Sequence, residues 1–235
     1  MNTNNDLKQA AIDSYPNEMC GFLLKDGRFI HCLNKADDPA KAFKIDAVDY
    51  ARHIGNIEFV IHTHIPGKMA MVFDPRTPSY QDMVGQKATG LPWLIFSCDG
   101  DNVSEPLQIP RVPNNNYLDR PFIWFVSDCY SLVQDYYRFE LNIILPDHKA
   151  DKPFNEITHM NDIFTGYLDE YGFKAVQTID DIKNGDLLLL DSMTFKSNHL
   201  GIFHDGFVIH QGPLSVKEPF EHFIGRINAV LKYVN

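Results

Sequence analysis

The run SDCYSLVQDYYRFE, residues 127–140, decides how the second half of the chain is read. Leu132, Val133, Tyr136, Tyr137 and Phe139 recur at helical spacing, so the run predicts an α-helix that starts at Cys129. A cysteine there faces backbone N–H groups without intrahelical partners and the positive end of the helix dipole, which together favour thiolate over thiol. The same donors suit the oxyanion of an acyl transfer.

Downstream of this helix, residues 185–190, 199–203 and 207–210 are short apolar runs separated by turn residues. They predict a small antiparallel sheet. His199 opens one run and His210 closes the next, so with Cys129 they make a candidate nucleophile, base and orienter. A cysteine by itself is commonly just a small buried hydrophobe. The order of segments raises the set above that: residues 127–133, then 184–187, 198–202 and 208–210. In that order they resemble the NlpC family of papain-like cell-wall peptidases. The resemblance implies a papain-like fold and a Cys129, His199 and His210 triad. The commonest family signature has Ser-Gly after the cysteine, whereas this chain has Tyr130-Ser131, which puts substrate contacts beside the nucleophile in question. His204 and His159 are read as surface residues.

Residues 99–120 (DGDNVSEPLQIPRVPNNNYLDR) have no sustained period and are rich in Pro, Asn and Asp. The domain boundary is placed there, with 1–105 as a first domain, 106–120 as a linker and 121–235 as a second. In the first domain, residues 6–14 suit an amphipathic helix stopped by Pro16, and residues 21–24 and 28–32 flank Asp26-Gly27 as a hairpin. Residues 47–54 read as a helix, 58–62 as a buried strand and 91–97 as another strand. A further helix begins near Ser79, behind Thr77-Pro78.

His62 and His64, two apart at the end of an apolar strand, send both imidazoles to one face. Ser79 and Asp82 share a helix face, so Asp82 adds a carboxylate oxygen. Two His and one Asp leave a fourth zinc position for water, as a catalytic site requires, and Glu18 is placed to take a proton from it. A His-x-His on a strand is weak evidence alone. With the Ser-x-x-Asp step and the upstream Glu the arrangement resembles the JAMM (MPN) metallopeptidases. That resemblance implies Glu18 as general base, His62, His64 and Asp82 as zinc ligands, and Ser79 as oxyanion assistant. Residues 65–78 are longer than the usual loop and contain the apolar run at 69–73, an insertion that either reshapes the cleft or leaves the site metal-free.

The fold class is therefore α+β in two domains: an N-terminal JAMM/MPN-like α/β sandwich and a C-terminal papain-like domain of a helix plus an antiparallel sheet. The chain has 235 residues, 44% hydrophobic and 22% charged, enough to bury real cores. A net charge of -10 without a Lys/Arg stripe argues against nucleic acid as a partner. Residues 1–9 lack a basic and apolar leader pattern, and no window reaches the length of a membrane span. Four cysteines without CxxC pairing disfavour a disulfide framework, which fits a protein made and kept reduced in a cytoplasm.

The fusion of the two modules in this order resembles the tail assembly protein K family of tailed bacteriophages. Asp119-Arg120-Pro121 leading into the cysteine run, residues 128–137, and Leu145-Pro146-Asp147 closing the helix region carry the likeness. It implies a component of the virion tail tip, made in the host cytoplasm, with other tail-tip proteins as partners, peptidoglycan as substrate and Zn2+ as cofactor. The competing reading is a structural tail-tip scaffold with little or no activity. A bacterial housekeeping wall hydrolase is the third, and it fails for want of an export signal.

Overall fold

The computed structural model describes residues 3–67, 74–147, 164, 170–192 and 198–234. The apolar run at 69–73 and His159 lie outside the described residues. The chain divides into two compact units, Met1–Val112 and Pro113–Asn235.

The first unit runs α1 (Thr3–Ser14), β1 (Cys20–Leu24), β2 (Phe29–Cys32), α2 (Ala47–His53), β3 (Ile57–His64), α3 (Tyr80–Thr89), β4 (Trp93–Ser97) and β5 (Leu107–Ile109). Its strands form one sheet in the order β2-β1-β3-β4-β5. Neighbours are antiparallel except β3 and β4, which are parallel and joined through α3. Gly27 turns the first hairpin at a φ of 81°, a conformation glycine adopts without a Cβ clash. Alternation along β3 then divides the layers. Ile61 joins Leu7, Ala11, Met19, Phe96 and Cys98 in a core under α1. His62 points to the opposite face, where Phe43 stacks on it with ring centroids 4.4 Å apart. On that face α3 lies close to β4, because a Cβ on Gly85 would stand 2.5 Å from the Trp93 ring.

The second unit holds α4 (Cys129–Glu140), β6 (Phe173–Val176), β7 (Leu187–Leu190), β8 (His199–His204), β9 (Phe207–Gln211), β10 (Ser215–Pro219) and β11 (Ile227–Tyr233). Its sheet has the order β10-β9-β8-β7-β11-β6 and is antiparallel throughout. The four leucines of β7 are buried on both faces. Leu187 and Leu189 join Tyr130, Leu132, Val133, Tyr136 and Tyr137 of α4 in one core. Leu188 and Leu190 join Val208, Phe223 and Val230 in another. Asp128 caps α4 by accepting from Ser131 N, and Ser131 Oγ accepts from Asp128 N in return, so the helix starts at the cysteine.

The expected linker at 106–120 differs from what is found. Leu107–Ile109 forms the edge strand β5 against β4. At its other end, Asp119 N donates to Ser215 O, Arg120 N to Ser215 Oγ, and Ser215 N to Arg120 O. The Arg120 guanidinium also pairs with Asp135 on α4 at 2.9 Å, with both side chains buried. Pro and Asn break periodicity without releasing the backbone from a sheet edge. The helix itself spans Cys129–Glu140, as its apolar spacing predicts, and beyond it Pro146 O accepts from Tyr130 Oη at 2.9 Å and Gln134 Nε2 at 2.7 Å.

Candidate active sites

In the first unit, β3 delivers His62 and His64 to one face with their Nε2 atoms 3.1 Å apart. Asp82 reaches them from the first turn of α3: Oδ1 lies 3.2 Å from His62 Nε2 and Oδ2 3.2 Å from His64 Nε2. A capping box aims the carboxylate, because Ser79 N donates to Asp82 Oδ2 at 2.7 Å while Asp82 N donates to Ser79 Oγ at 3.1 Å. The sequence placed Ser79 at the oxyanion. Its oxygen accepts the cap bond, and its O–H proton remains as a donor beside the cavity it lines.

The protonation pattern of these groups follows from their partners. His64 Nδ1 lies 2.9 Å from Pro75 O, and a carbonyl only accepts, so Nδ1 carries the proton. In the neutral ring Nε2 is then a lone pair directed at a carboxylate. Two acceptors at this range require a positive charge between them, either a proton or a cation. Three such atoms all lie within 4.8 Å of one another. Ligand atoms around a tetrahedral cation with bonds of about 2.0–2.1 Å stand about 3.3–3.4 Å apart. The His62–His64 edge of 3.1 Å is close to that spacing, and Asp82 meets the two rings through its two different oxygens, each at 3.2 Å. His62, His64 and Asp82 therefore fit a zinc-type cation, and the Pro75 carbonyl orients one ligand ring as an outer-shell acceptor. His62 Nδ1 is buried without a hydrogen-bond partner, so Phe43 and Trp93 hold that ring by contact instead.

Glu18 reaches the same cavity because the β1–β3 ladder continues past the strand: Thr63 N donates to Met19 O and Met19 N to Thr63 Oγ1. Glu18 N also donates to Pro39 O, and Asn34 Nδ2 to Glu18 O. Burial raises the Glu18 carboxyl to about 7, against the pull of His64 and with a further push from Asp82. Burial would raise Asp82 too, yet His62 and His64 outweigh it and hold that carboxylate well below its ordinary range. The two acids beside His64 thus differ, one held as an anion and one poised to exchange a proton near neutrality. The cavity measures about 370 Å³ and is lined by Glu18, His64, Asp74, Thr77 and Ser79 among others.

The second unit places Cys129 at the N-terminus of α4, 7% exposed. Here burial opposes the thiolate that the helix terminus favours. Burial, reinforced by the charge of Asp128, pushes the thiol up to about 12, although backbone N–H groups of Leu200 and Tyr130 act on the sulfur in the other direction. Desolvation outweighs the helix terminus. Those N–H groups also place the sulfur beside the start of β8, where His199 stands. His199 Nε2 lies 3.1 Å from His210 Nδ1, with the two rings nearly perpendicular. Burial, with His210 and Arg226 adding to it, holds His199 down to about 3. Both shifts favour the uncharged forms, thiol and imidazole.

Sequence reasoning missed the group beyond them: His210 Nε2 lies 2.7 Å from Glu218 Oε2 on β10. Its signal was parity, since Val216 pairs with His210 and Glu218 sits two residues further along the same face. His204, read as a surface residue, is half-buried and its Nδ1 lies 2.7 Å from Tyr136 Oη.

Residues 119–224 match the NlpC/P60 family, a span that contains Cys129, His199 and His210. That match bears on the second unit alone and supports a cysteine-peptidase-type hydrolase there. The chain is also similar to Tail tip assembly protein K of Escherichia phage N15, with 28% identity over 218 residues that cover 89% of this chain and 85% of that protein. This matched length exceeds either unit, so the likeness runs through both.

Proposed function

We propose that this chain is a tail-tip protein of a tailed bacteriophage that hydrolyses amide bonds in peptidoglycan stem peptides at Cys129. The first unit is, in the same proposal, a second peptidase centre of the JAMM/MPN kind holding zinc on His62, His64 and Asp82. The protein is made in the host cytoplasm and carried to the cell wall in the virion, beside other tail-tip proteins. One observation carries the cysteine reading: Cys129 at a helix N-terminus with the backbone N–H of Leu200, next to His199 in the chain, acting on its sulfur, and His210 Nδ1 3.1 Å from His199 Nε2. The NlpC/P60 match over the same residues supports it. Among the described residues no helix is long and apolar enough to cross a membrane.

With thiol and imidazole both neutral, the proton moves when the substrate is attacked rather than before. Cys129 Sγ bonds to the amide carbon as its proton passes to His199 Nδ1, the ring nitrogen not engaged by His210. The N–H groups around the sulfur receive the developing oxyanion. His199 then protonates the leaving nitrogen, the C–N bond breaks, and an acyl-enzyme remains. Water, deprotonated by His199, cleaves the thioester, releases the carboxylic acid and restores the thiol. A helix start that does not keep a standing thiolate still lowers the barrier, because the same N–H groups stabilise charge as it forms.

In the first unit a bound zinc-type cation supplies Lewis acidity towards a carbonyl and towards water. Glu18, which lines the same cavity, would be the group that takes and returns a proton of water there. Asp82 stays ionised and, through its cap bonds, keeps its geometry.

The test is digestion of purified peptidoglycan by the intact protein, by Cys129→Ala and by chelator-treated protein, with released muropeptides identified by mass spectrometry. Products lost only in Cys129→Ala support the wall-peptidase reading, and products lost on chelation assign cleavage to the metal centre. No products in any arm favours the structural scaffold.

A further inference from the structure

We infer that Glu218 is a positioning residue of the cysteine centre, setting the tautomers of His210 and His199 so that His199 presents its lone pair to Cys129. The inference rests on the cysteine reading above. An ionised carboxylate only accepts, so the 2.7 Å contact fixes the proton of His210 on Nε2. His210 Nδ1 is then a lone pair, and its 3.1 Å contact with His199 Nε2 requires that atom to carry the proton. His199 Nδ1 is thereby left bare, which is the form that accepts the thiol proton. One carboxylate orders two rings in series.

Without it the series has two solutions. His210 can carry its proton on Nδ1 and donate to His199 Nε2, which moves the His199 proton to Nδ1. A ring in that form cannot serve as the base. The chemistry of the two imidazoles does not choose between these arrangements, because both satisfy the 3.1 Å contact. The choice comes from β10.

Strand register makes Glu218 the residue that chooses. Val216 pairs with His210 and Glu218 with Val208, so Glu218 shares the face of His210 while Lys217, opposite Ile209, faces the other way. A slip of one residue would present the Lys217 cation, which cannot accept from an imidazole N–H. Pro219 ends β10 directly after Glu218, and a 3-10 turn at Phe220–His222 follows. Phe223, just beyond it and 1% exposed, packs edge-on against the His210 ring with centroids 5.1 Å apart. His222 Nδ1 lies 4.0 Å from the second oxygen, Glu218 Oε1, and is mostly exposed. The carboxylate therefore bridges a buried imidazole and a surface one, with a 44% exposed side chain that can be truncated without opening a core.

The test uses the full chain with 15N-labelled histidine. The His210 signals are assigned by their loss in His210→Asn, and His210 and His199 tautomers are read from nitrogen shifts, alongside kcat and KM for hydrolysis of a stem peptide. Glu218→Ala is expected to lose about 10–100-fold in kcat, with KM within about threefold, and to show a mixed His210 tautomer. Glu218→Gln, whose amide oxygen still accepts, is expected to keep Nε2–H and most of the rate. Unchanged kcat in Glu218→Ala with His210 still protonated on Nε2 alone overturns the inference. Loss of rate in both variants with an unaltered tautomer overturns it too, because the carboxylate would then act by charge. Absence of Cys129-dependent hydrolysis in the intact protein would sink the cysteine reading instead, and the tautomer measurement separates that failure from this one.

Discussion

Each unit brings two histidines within 3.1 Å of one another and adds a carboxylate, yet the two arrangements solve different problems. In the first unit the imidazoles lie in parallel, both Nε2 atoms converging with Asp82 on one point. Converging lone pairs call for a positive charge between them, a proton or a metal cation. In the second unit they lie in series, His199 to His210 to Glu218, and every contact is satisfied by one proton. The same three side-chain types thus give a cluster that could hold a metal ion when they converge and a hydrogen-bonded chain when they queue. Strand geometry decides which: an i, i+2 pair on one strand converges, while a pair split across β8 and β9 lines up.

The comparison breaks most directly at Cys129. Replacing it with Ala removes only the nucleophile, so thiol-dependent hydrolysis should fall by at least about a thousandfold with the thermal transition of the second unit little changed. Retained hydrolysis would show that this hydrogen-bonded chain serves no acyl transfer. Next in size is the converging site. His62→Ala or Asp82→Ala should lower zinc affinity by at least about a hundredfold, read as metal content after dialysis, while the cysteine centre keeps its rate. Zinc should also raise only the first unit's melting transition, since binding to the folded state stabilises that state alone. Equal metal content in both variants would remove the zinc centre from the first unit.

Much of this contrast was legible in the chain because caps and apolar spacing are local. Asp128 with Ser131 and Ser79 with Asp82 mark both helix starts within three residues, and the i, i+2 histidines share a face on any strand. What escaped depended on pairing. Leu107–Ile109, Phe173–Val176 and Ser215–Pro219 are short strands, each at the edge of its sheet, in which exposed positions dilute the apolar alternation. Glu218 becomes visible only once β10 is registered against β9. The balance at Cys129 was hidden for another reason, since a helix terminus is readable from sequence while the desolvation of the thiol is a property of the packed core.

The opposition between helix terminus and burial at Cys129 is measurable within the second unit. A preformed thiolate–imidazolium pair alkylates at a rate that levels off near neutral pH, whereas a neutral pair does not. With the thiol at about 12, iodoacetamide labelling of Cys129 in the full chain should rise about tenfold per pH unit from 7 to 9 without a plateau. At pH 7 it should be at least about tenfold slower than that of a free cysteine peptide. Peptide mapping separates Cys129 from the buried Cys20, Cys32 and Cys98. A plateau by pH 7 would restore the ion pair and place the two units closer together in electrostatic design.

The smallest effect expected concerns Glu18, and it tests the converging site without any turnover. Its carboxyl is raised from 4.5 to about 7 by burial, so the neutral form is the one the fold prefers. The stability tied to that preference is present in full below the unfolded value near 4.5 and is lost as pH rises through about 7. Glu18→Gln is permanently neutral and nearly isosteric. In chelator it should match the parent at pH 4 and exceed it at pH 8 by about 1–3 kcal/mol, seen as a higher melting transition of the first unit. Zinc should narrow the gap, because a cation beside the carboxylate favours its charged form and offsets the cost of burying it. A gap that is the same at both pH values would mean that folding leaves the Glu18 carboxyl unshifted, and the contrast between its poised carboxyl and the fixed anion of Asp82 would disappear.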